Sequence, residues 1–321
     1  MPSPSLKNEY PIELTAPDIT PFRKGNTGLE YITTLDSGHA GPHAMISAIV
    51  HGNELCGPIA LEKLFNDDVR PVRGKLTLGF LNVAAYDLYD ADDPFASRWV
   101  DEDFNRIWSP EVLKSDRTSV ELERARQIVP LLESVDLLLD IHSMQTLAPP
   151  VILTGLLPKG RDLARAIGVP ELVVADEGHA AGRRMRDFNE FADAASPKKS
   201  VLIECGQHWE AAAGDLAILS SILFLRATGI MDEKFGEEVA GKTYSGQKLI
   251  EITEAVTIET DEFTFAGTFA GGEVLPDEGT LIGHDGDHAI LSPHDDCILI
   301  MPTRRTYKGQ TAVRLGRFIE D

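Results

Sequence analysis

The chain has 321 residues, 43 % of them hydrophobic and 25 % charged, the make-up of an ordinary soluble globular protein with room for two domains and a sizeable core. Its formal net charge of −21, from 51 acids against 30 bases, repels nucleic acid phosphates and anionic membranes, which sets both aside as partners. It does not set aside a small anionic substrate, because arginines gathered in one pocket overcome a global field locally. No apolar run of about 18 residues is present to span a bilayer. Residues 1–5 lack a basic segment followed by an apolar one, so no secretory signal is read. Three scattered cysteines, Cys56, Cys205 and Cys297, argue against a disulfide framework and for a reducing, cytoplasmic setting. Nothing in the sequence sets the subunit number, and a homo-oligomer is compatible with it.

In chain order, short β-rich runs alternate with helical stretches. Strands are expected over 30–35, 44–50, 75–82, 136–141, 151–154, 171–175 and 200–205, and helices over 55–66, 119–134, 160–167 and 214–228. In 119–134 the apolar positions Val120, Leu122, Ala125, Ile128, Val129 and Leu132 recur at helical spacing. Pro58 falls in the first turn after Glu54, where its missing N–H costs little. This alternation predicts an α/β fold, a mixed or mainly parallel sheet covered by helices on both faces. After about Gly241 the texture becomes period-two segments broken by Gly, Asp and Pro, which predicts a small all-β domain. The expected division is a hydrolase α/β domain over 1–238 and a β-rich domain over 239–321.

Two of the apolar runs end in groups that bind metals. His51-Gly52-Asn53-Glu54 follows the run 44–50, and His142 in Asp140-Ile141-His142-Ser143 follows 135–139. Two imidazoles and one carboxylate are the three protein ligands of a catalytic zinc, and an open sheet places its site at the carboxyl ends of strands. Glu204 ends a third apolar strand, where desolvation would raise its pKa into the range useful to a general base. Between them, residues 98–106 concentrate Arg98, Asp101, Glu102, Asp103, Asn105 and Arg106. Taken singly, each residue has a plainer reading, such as a strand-end histidine or a charged surface loop. The cluster His284, Asp285, Asp287, His288, His294, Asp295 and Asp296 is read as turns rather than as a second metal site. Cys56 and Cys205 are read as small buried hydrophobes.

The ordered segments His51-Gly52-Asn53-Glu54, Asp103-Phe104-Asn105-Arg106, Asp140-Ile141-His142 and Ile203-Glu204-Cys205-Gly206 resemble those of the succinylglutamate desuccinylase/aspartoacylase family, a branch of the zinc carboxypeptidase superfamily. The resemblance implies a carboxypeptidase-like α/β domain followed by a smaller β domain, and a zinc-dependent amidohydrolase that deacylates a small N-acyl amino acid. It implies one Zn2+ per chain on His51, Glu54 and His142, with Glu204 as the base for the attacking water. Arg98 would stabilise the oxyanion, and Asn105 with Arg106 would grip a substrate carboxylate. Asp103, with Asp140 as the alternative, would orient a ligand histidine. For a further substrate carboxylate, Arg183, Arg184 and Arg186 qualify by position alone. Two other readings stay open: a zinc carboxypeptidase acting on peptides, and a zinc-binding protein without catalysis.

Overall fold

The computed structural model describes residues 7–240 and 246–320. The strands are β1 (Ile32–Asp36), β2 (His43–Ala48), β3 (Lys75–Phe80), β4 (Leu137–Met144), β5 (Val151–Leu153), β6 (Leu172–Ala175) and β7 (Lys199–Gln207), then β8 (Lys248–Thr257), β9 (Phe263–Phe265), β10 (Val274–Leu275), β11 (Leu281–Asp285), β12 (His288–Leu291), β13 (Cys297–Ile300) and β14 (Thr311–Ile319). The helices of ten residues or more are α1 (Cys56–Asn66), α2 (Val120–Leu132), α3 (Pro158–Ile167) and α4 (Ala211–Ala227). Each expected strand and helix of the first 230 residues is present, with ends shifted by a few residues.

One sheet of eleven strands runs in the order β1-β3-β2-β4-β7-β5-β6-β8-β14-β13-β10. Its centre is parallel: β2 pairs with β3 and β4, and β4 with β7. β1 and β5 run antiparallel to their neighbours β3 and β7, so the sheet is mixed. The central strands are buried on both faces, which is why their sequences are continuous apolar runs rather than alternating ones. On one face, α1, α3 and α4 pack Leu61, Leu163 and Phe224 against the sheet residues Ile46, Ile141 and Ile203. On the other, α2 packs Leu122, Ala125, Ile128 and Leu132 with Met45 and Leu138. Ser119 caps α2, its hydroxyl accepting from Leu122 N–H at 2.9 Å.

The C-terminal strands have a core of their own, including Val256, Ile282, Leu299 and Val313. They also continue the main sheet. β8 adds parallel to β6 and carries β14, β13 and β10 beyond it, while β9, β11 and β12 form a separate three-stranded sheet. The physical reason is the exposed hydrogen-bonding edge of β6, which a further strand satisfies.

The turn that leaves β2 is tight. Ile49 has φ of 59°, a left-handed conformation costly for a β-branched residue. A Cβ on Gly52 would stand 2.4 Å from Ala85 C and from Ser97 O, so only glycine lets this turn nest against the chain that leads to Arg98. Gly52→Ala should therefore cost about 1–3 kcal/mol, read as a lowered denaturation midpoint with an unchanged slope. Wild-type stability in that variant would contradict the close approach.

Candidate metal centre

His51 and Glu54 occupy the turn after β2, while His142 and Glu204 lie near the carboxyl ends of β4 and β7, opposite each other in register. The ligating atoms of His51, Glu54 and His142 all fall within 4.8 Å of one another, and the three side chains are buried. Glu54 sits between the rings: Oε1 is 2.7 Å from His51 Nδ1, and Oε2 is 2.9 Å from His142 Nδ1. The far nitrogens face aspartates. His51 Nε2 is 2.9 Å from Asp103 Oδ1, and His142 Nε2 is 3.0 Å from Asp140 Oδ2. Asp140 accepts in turn from Ser47 Oγ at 2.7 Å.

These contacts decide what the group can hold. A carboxylate only accepts, so a ring with carboxylates at both nitrogens and a single proton meets one of them acceptor to acceptor. At His51 the donor Arg98 Nη2 also lies 2.9 Å from Nε2. Two remedies exist: a second proton on the rings, or a cation between them. Burial works against a charged His142, yet Asp140 and Glu54 outweigh it and hold its pKa well above the usual value. Burial would likewise raise Glu54, but His51 and His142 keep it ionised, well below its ordinary range. A buried set of two imidazole nitrogens and one carboxylate, each imidazole backed by an aspartate, fits a tetrahedral metal ion with one position left open.

A loop from Arg98 to Arg106 closes one side. Arg98 reaches Asp103 Oδ2 at 3.2 Å and Glu54 Oε1 at 3.4 Å. Burial would raise Asp103, but Arg106, His51 and Arg98 keep it well below the ordinary carboxylate range. Asn105 accepts from Met185 N–H through Oδ1 at 2.8 Å and lines the cavity. Arg106 donates to Asn105 O at 2.8 Å and has no carboxylate partner among the described residues. What holds this loop is Glu121, a fully buried acid near the start of α2. Its carboxylate accepts from the N–H groups of Val100, Asp101 and Glu102 at 2.7, 3.1 and 3.2 Å. Sequence reasoning missed Glu121. Its only signal was an acid in the first turn of a helix, which reads as an ordinary dipole partner.

Glu204 faces the same cavity with Oε2 buried and unpartnered. Burial pushes its pKa up to about 8, against the pull of His142 and Arg98. The cavity is lined further by Trp99, Ser143, His179, Arg184, Arg305, Tyr307 and Arg314. Those from the C-terminal strands and their loops were invisible to motif reasoning. Of the positional candidates, Arg184 is closed by Asp176 at 2.8 and 2.9 Å and by Asp187 at 2.8 Å. Arg186 is closed by Asp187 at 2.6 Å and by Thr154 O at 2.9 Å. The His/Asp cluster of 284–296 forms strand ends and turns, and no second metal-holding group occurs among the described residues. Cys56 and Cys205 are buried thiols.

The family model for the succinylglutamate desuccinylase/aspartoacylase catalytic domain matches residues 40–224, more than half of the chain. The chain belongs to that family. Its members are hydrolytic deacylases acting on small acyl amino acids. Among solved structures, succinylglutamate desuccinylase of Vibrio cholerae is 14 % identical, covering 91 % of this chain and 88 % of its own, at a TM-score of 0.66. The product-bound ectoine utilization protein EutE (DoeB) of Ruegeria pomeroyi is 19 % identical, with coverage of 89 % and 88 % and a TM-score of 0.62. Murine aminoacylase 3 is 18 % identical, with coverage of 88 % and 96 % and a TM-score of 0.59. No curated protein sequence matches the chain. At these identities the structural likeness speaks for the fold, and the family match speaks for the deacylase class. No helix of the described residues is long and apolar enough to cross a membrane.

Two measurements probe the site itself. Asp140→Ala should lower divalent-metal affinity about 10–100-fold, read by competition with a chromogenic chelator; unchanged affinity would remove the role given to that aspartate. Metal-free Glu204→Gln should be more stable than metal-free wild type. The folded-state pKa of Glu204 lies at about 8 against 4.5 for a free carboxyl. The folded state therefore binds the extra proton, and wild-type stability falls as pH rises from about 4.5 to 8. The advantage of Glu204→Gln should grow across that window in denaturant titrations; a constant difference would show that Glu204 is not desolvated.

Proposed function

We propose that this chain is a zinc-dependent amidohydrolase that splits a small N-acyl amino acid into a carboxylate and an amino acid. The observation that carries the reading is the convergence of two aspartate-backed Nδ1 atoms on Glu54, beside a buried, unpartnered Glu204, in one cavity. His51, Glu54 and His142 would hold one Zn2+. Bound there, the ion would supply a Lewis acid for the scissile carbonyl and lower the pKa of water to about 7.

The chain's own residues supply the rest. Glu204 Oε2, lacking any protein partner, takes the proton of the attacking water and passes it to the amide nitrogen, so that the carbon–nitrogen bond breaks with a neutral amine leaving. Its elevated pKa suits both transfers near neutral pH. Arg98 stands beside the ligand carboxylate and meets the charge that develops on the carbonyl oxygen; losing one such donor costs about 2.7–4 kcal/mol of transition-state stabilisation in comparable sites. Arg106 and the amide nitrogen of Asn105 bind the substrate carboxylate, the guanidinium by its planar fork. Asp103 and Asp140 fix the ring orientations.

The cavity, about 120 Å³ and roofed by residues of 301–314, suits a small substrate better than a peptide. A metal-binding protein without catalysis would have no use for an orphaned acid beside the metal. The free, buried cysteines support a reducing cytoplasmic setting. Glu204→Gln should keep stoichiometric zinc and lose at least about 10²-fold in kcat, whereas His142→Ala should lose zinc and activity together. Near-normal turnover by Glu204→Gln on a panel of N-acyl amino acids would sink the assignment of the base.

A further inference from the structure

Beside the group that could hold a metal lies a pair of side chains with no part in the chemistry so far. Ser143 follows His142 on β4 and lines the cavity. Its hydroxyl oxygen is 2.8 Å from Nδ1 of His208, a residue with no exposed surface. The end of β7 brings the two together. Between the pairs His142–Glu204 and Met144–Gln207 the register shifts, β7 carrying Cys205 and Gly206 where β4 carries only Ser143. Gly206 has φ of 128°, a conformation that favours glycine, and beyond this bulge His208 N–H reaches Met144 O at 2.8 Å.

His208 is neutral: burial lowers its pKa to about 3, against the pull of Glu54. A neutral imidazole carries one proton, and its two nitrogens are unequal here. Nε2 is buried without a partner among the described residues. The rings beside it, Phe95 and Trp209, have centroids 6.3 and 5.4 Å away and offer no acceptor lone pair. The indole N–H of Trp209 is spent on Asn53 O at 3.2 Å. A proton on Nε2 would be a buried donor with nothing to receive it, the rarer defect in folded proteins. On Nδ1 the same proton goes to the oxygen of Ser143.

Ser143 then gives a lone pair to His208 and keeps its own proton free. That hydroxyl has no further partner among the described residues. The backbone of Ser143 is fixed as well, its N–H donating to Glu54 Oε2 at 3.2 Å, while Arg98 stands 3.4 Å from Glu54 Oε1. Ser143 and Arg98 thus flank the two oxygens of one carboxylate. A hydroxyl with an unspent proton, on a residue of the cavity wall, calls for an acceptor on the ligand. The substrate carboxylate is held by Asn105 and Arg106 in the reading above, so the acceptor that remains is the acyl oxygen.

We propose that the Ser143 hydroxyl, its oxygen already engaged by His208, donates to the acyl oxygen of the substrate beside Arg98, and that His208 is the residue that positions it. This rests on the deacylase reading above. Ser143 keeps its proton throughout. Its hydrogen bond strengthens as the carbonyl oxygen gains charge in the transition state, so it acts on kcat more than on KM. His208 touches no substrate and works only through Ser143.

One readout needs no turnover. In the imidazole nitrogen NMR spectrum of the zinc-loaded wild type, His208 should carry its proton on Nδ1 across neutral pH; a proton on Nε2 overturns the proposal. On the best substrate of a panel of N-acyl amino acids, Ser143→Ala should lower kcat about 10²-fold with KM nearly unchanged. His208→Leu should lower kcat in the same way, and His208→Asn, whose amide can place a donor near the position of Nδ1, should recover part of the loss. The double variant Ser143→Ala/His208→Leu should be no slower than Ser143→Ala, since a residue that acts through another adds nothing once that one is gone. Additive losses, or wild-type kcat in Ser143→Ala, overturn the proposal while leaving the deacylase reading intact. Should the wild type hydrolyse no member of the panel, the deacylase reading fails, and binding of methylphosphonate, whose tetrahedral oxygens mimic the reacting centre, judges the donor. Affinity at least about 10-fold weaker in Ser143→Ala supports it; equal affinity removes it.

Discussion

Two imidazoles present their Nδ1 atoms to the carboxylate of Glu54 while their Nε2 atoms face Asp103 and Asp140. The same five acidic and basic groups, free to move in water, would rotate until donors met acceptors. Here the sheet forbids it. His142 is fixed by β4, Asp140 by the hydroxyl of Ser47 on the adjacent strand, and His51 by a turn that tolerates a left-handed Ile49. Such backbone strain costs on the order of 1–3 kcal/mol, and it persists because the surrounding core, from Ile46 to Leu61, over-determines the turn. A second ring proton or a cation between the rings resolves the clash of lone pairs. The rest of the site is arranged around that requirement.

The loop of 98–106 shows how such a requirement propagates. Arg98 and Asp103 must approach the ligands closely, so their backbone runs through a region where its N–H groups would be buried. Glu121 satisfies three of them, and the loop returns the favour at the start of α2, where Asp101 accepts from Val120 N–H at 2.8 Å and Glu102 from Ser119 Oγ at 2.6 Å. Loop and helix terminus therefore order each other. The acids and bases of the site rest on a structural acid some twenty positions away in the chain.

Legibility in the sequence followed the range of the interactions involved. Strands β2, β4 and β7 were plain because burial on both faces writes continuous apolar runs, and the group that could hold a metal was plain because each member sits where such a run stops. The antiparallel insertion of β5 between β7 and β6 leaves no mark in either segment, since pairing partners fifty residues apart are chosen by the whole sheet. The extension of the main sheet by β8 and β14 is of the same kind. Arg184 and Arg186 matched a positional expectation, but whether an arginine is open or closed depends on Asp176 and Asp187, which no spacing rule links to it. Arg305, in a run of polar residues between two strands, reads as an ordinary loop cation until its surroundings are known.

Electrostatics joins these pieces. Surface charges of a strongly acidic chain act over about 8 Å in physiological salt, so the −21 of the whole molecule fades at the scale of one cavity. Inside, desolvation strengthens every local interaction, and the balance is opposite in sign: the five lining arginines outnumber the lining acids Glu54, Asp103 and Glu204. Burial opposes ionisation of Glu204 in that setting, which is what raises this carboxyl to about 8 from 4.5. Buried polar atoms without partners in the cavity lining, Glu204 Oε2 among them, lower the stability of the protein. A fold keeps such defects where a ligand repairs them, and these open onto the same cavity as the group that could hold a metal.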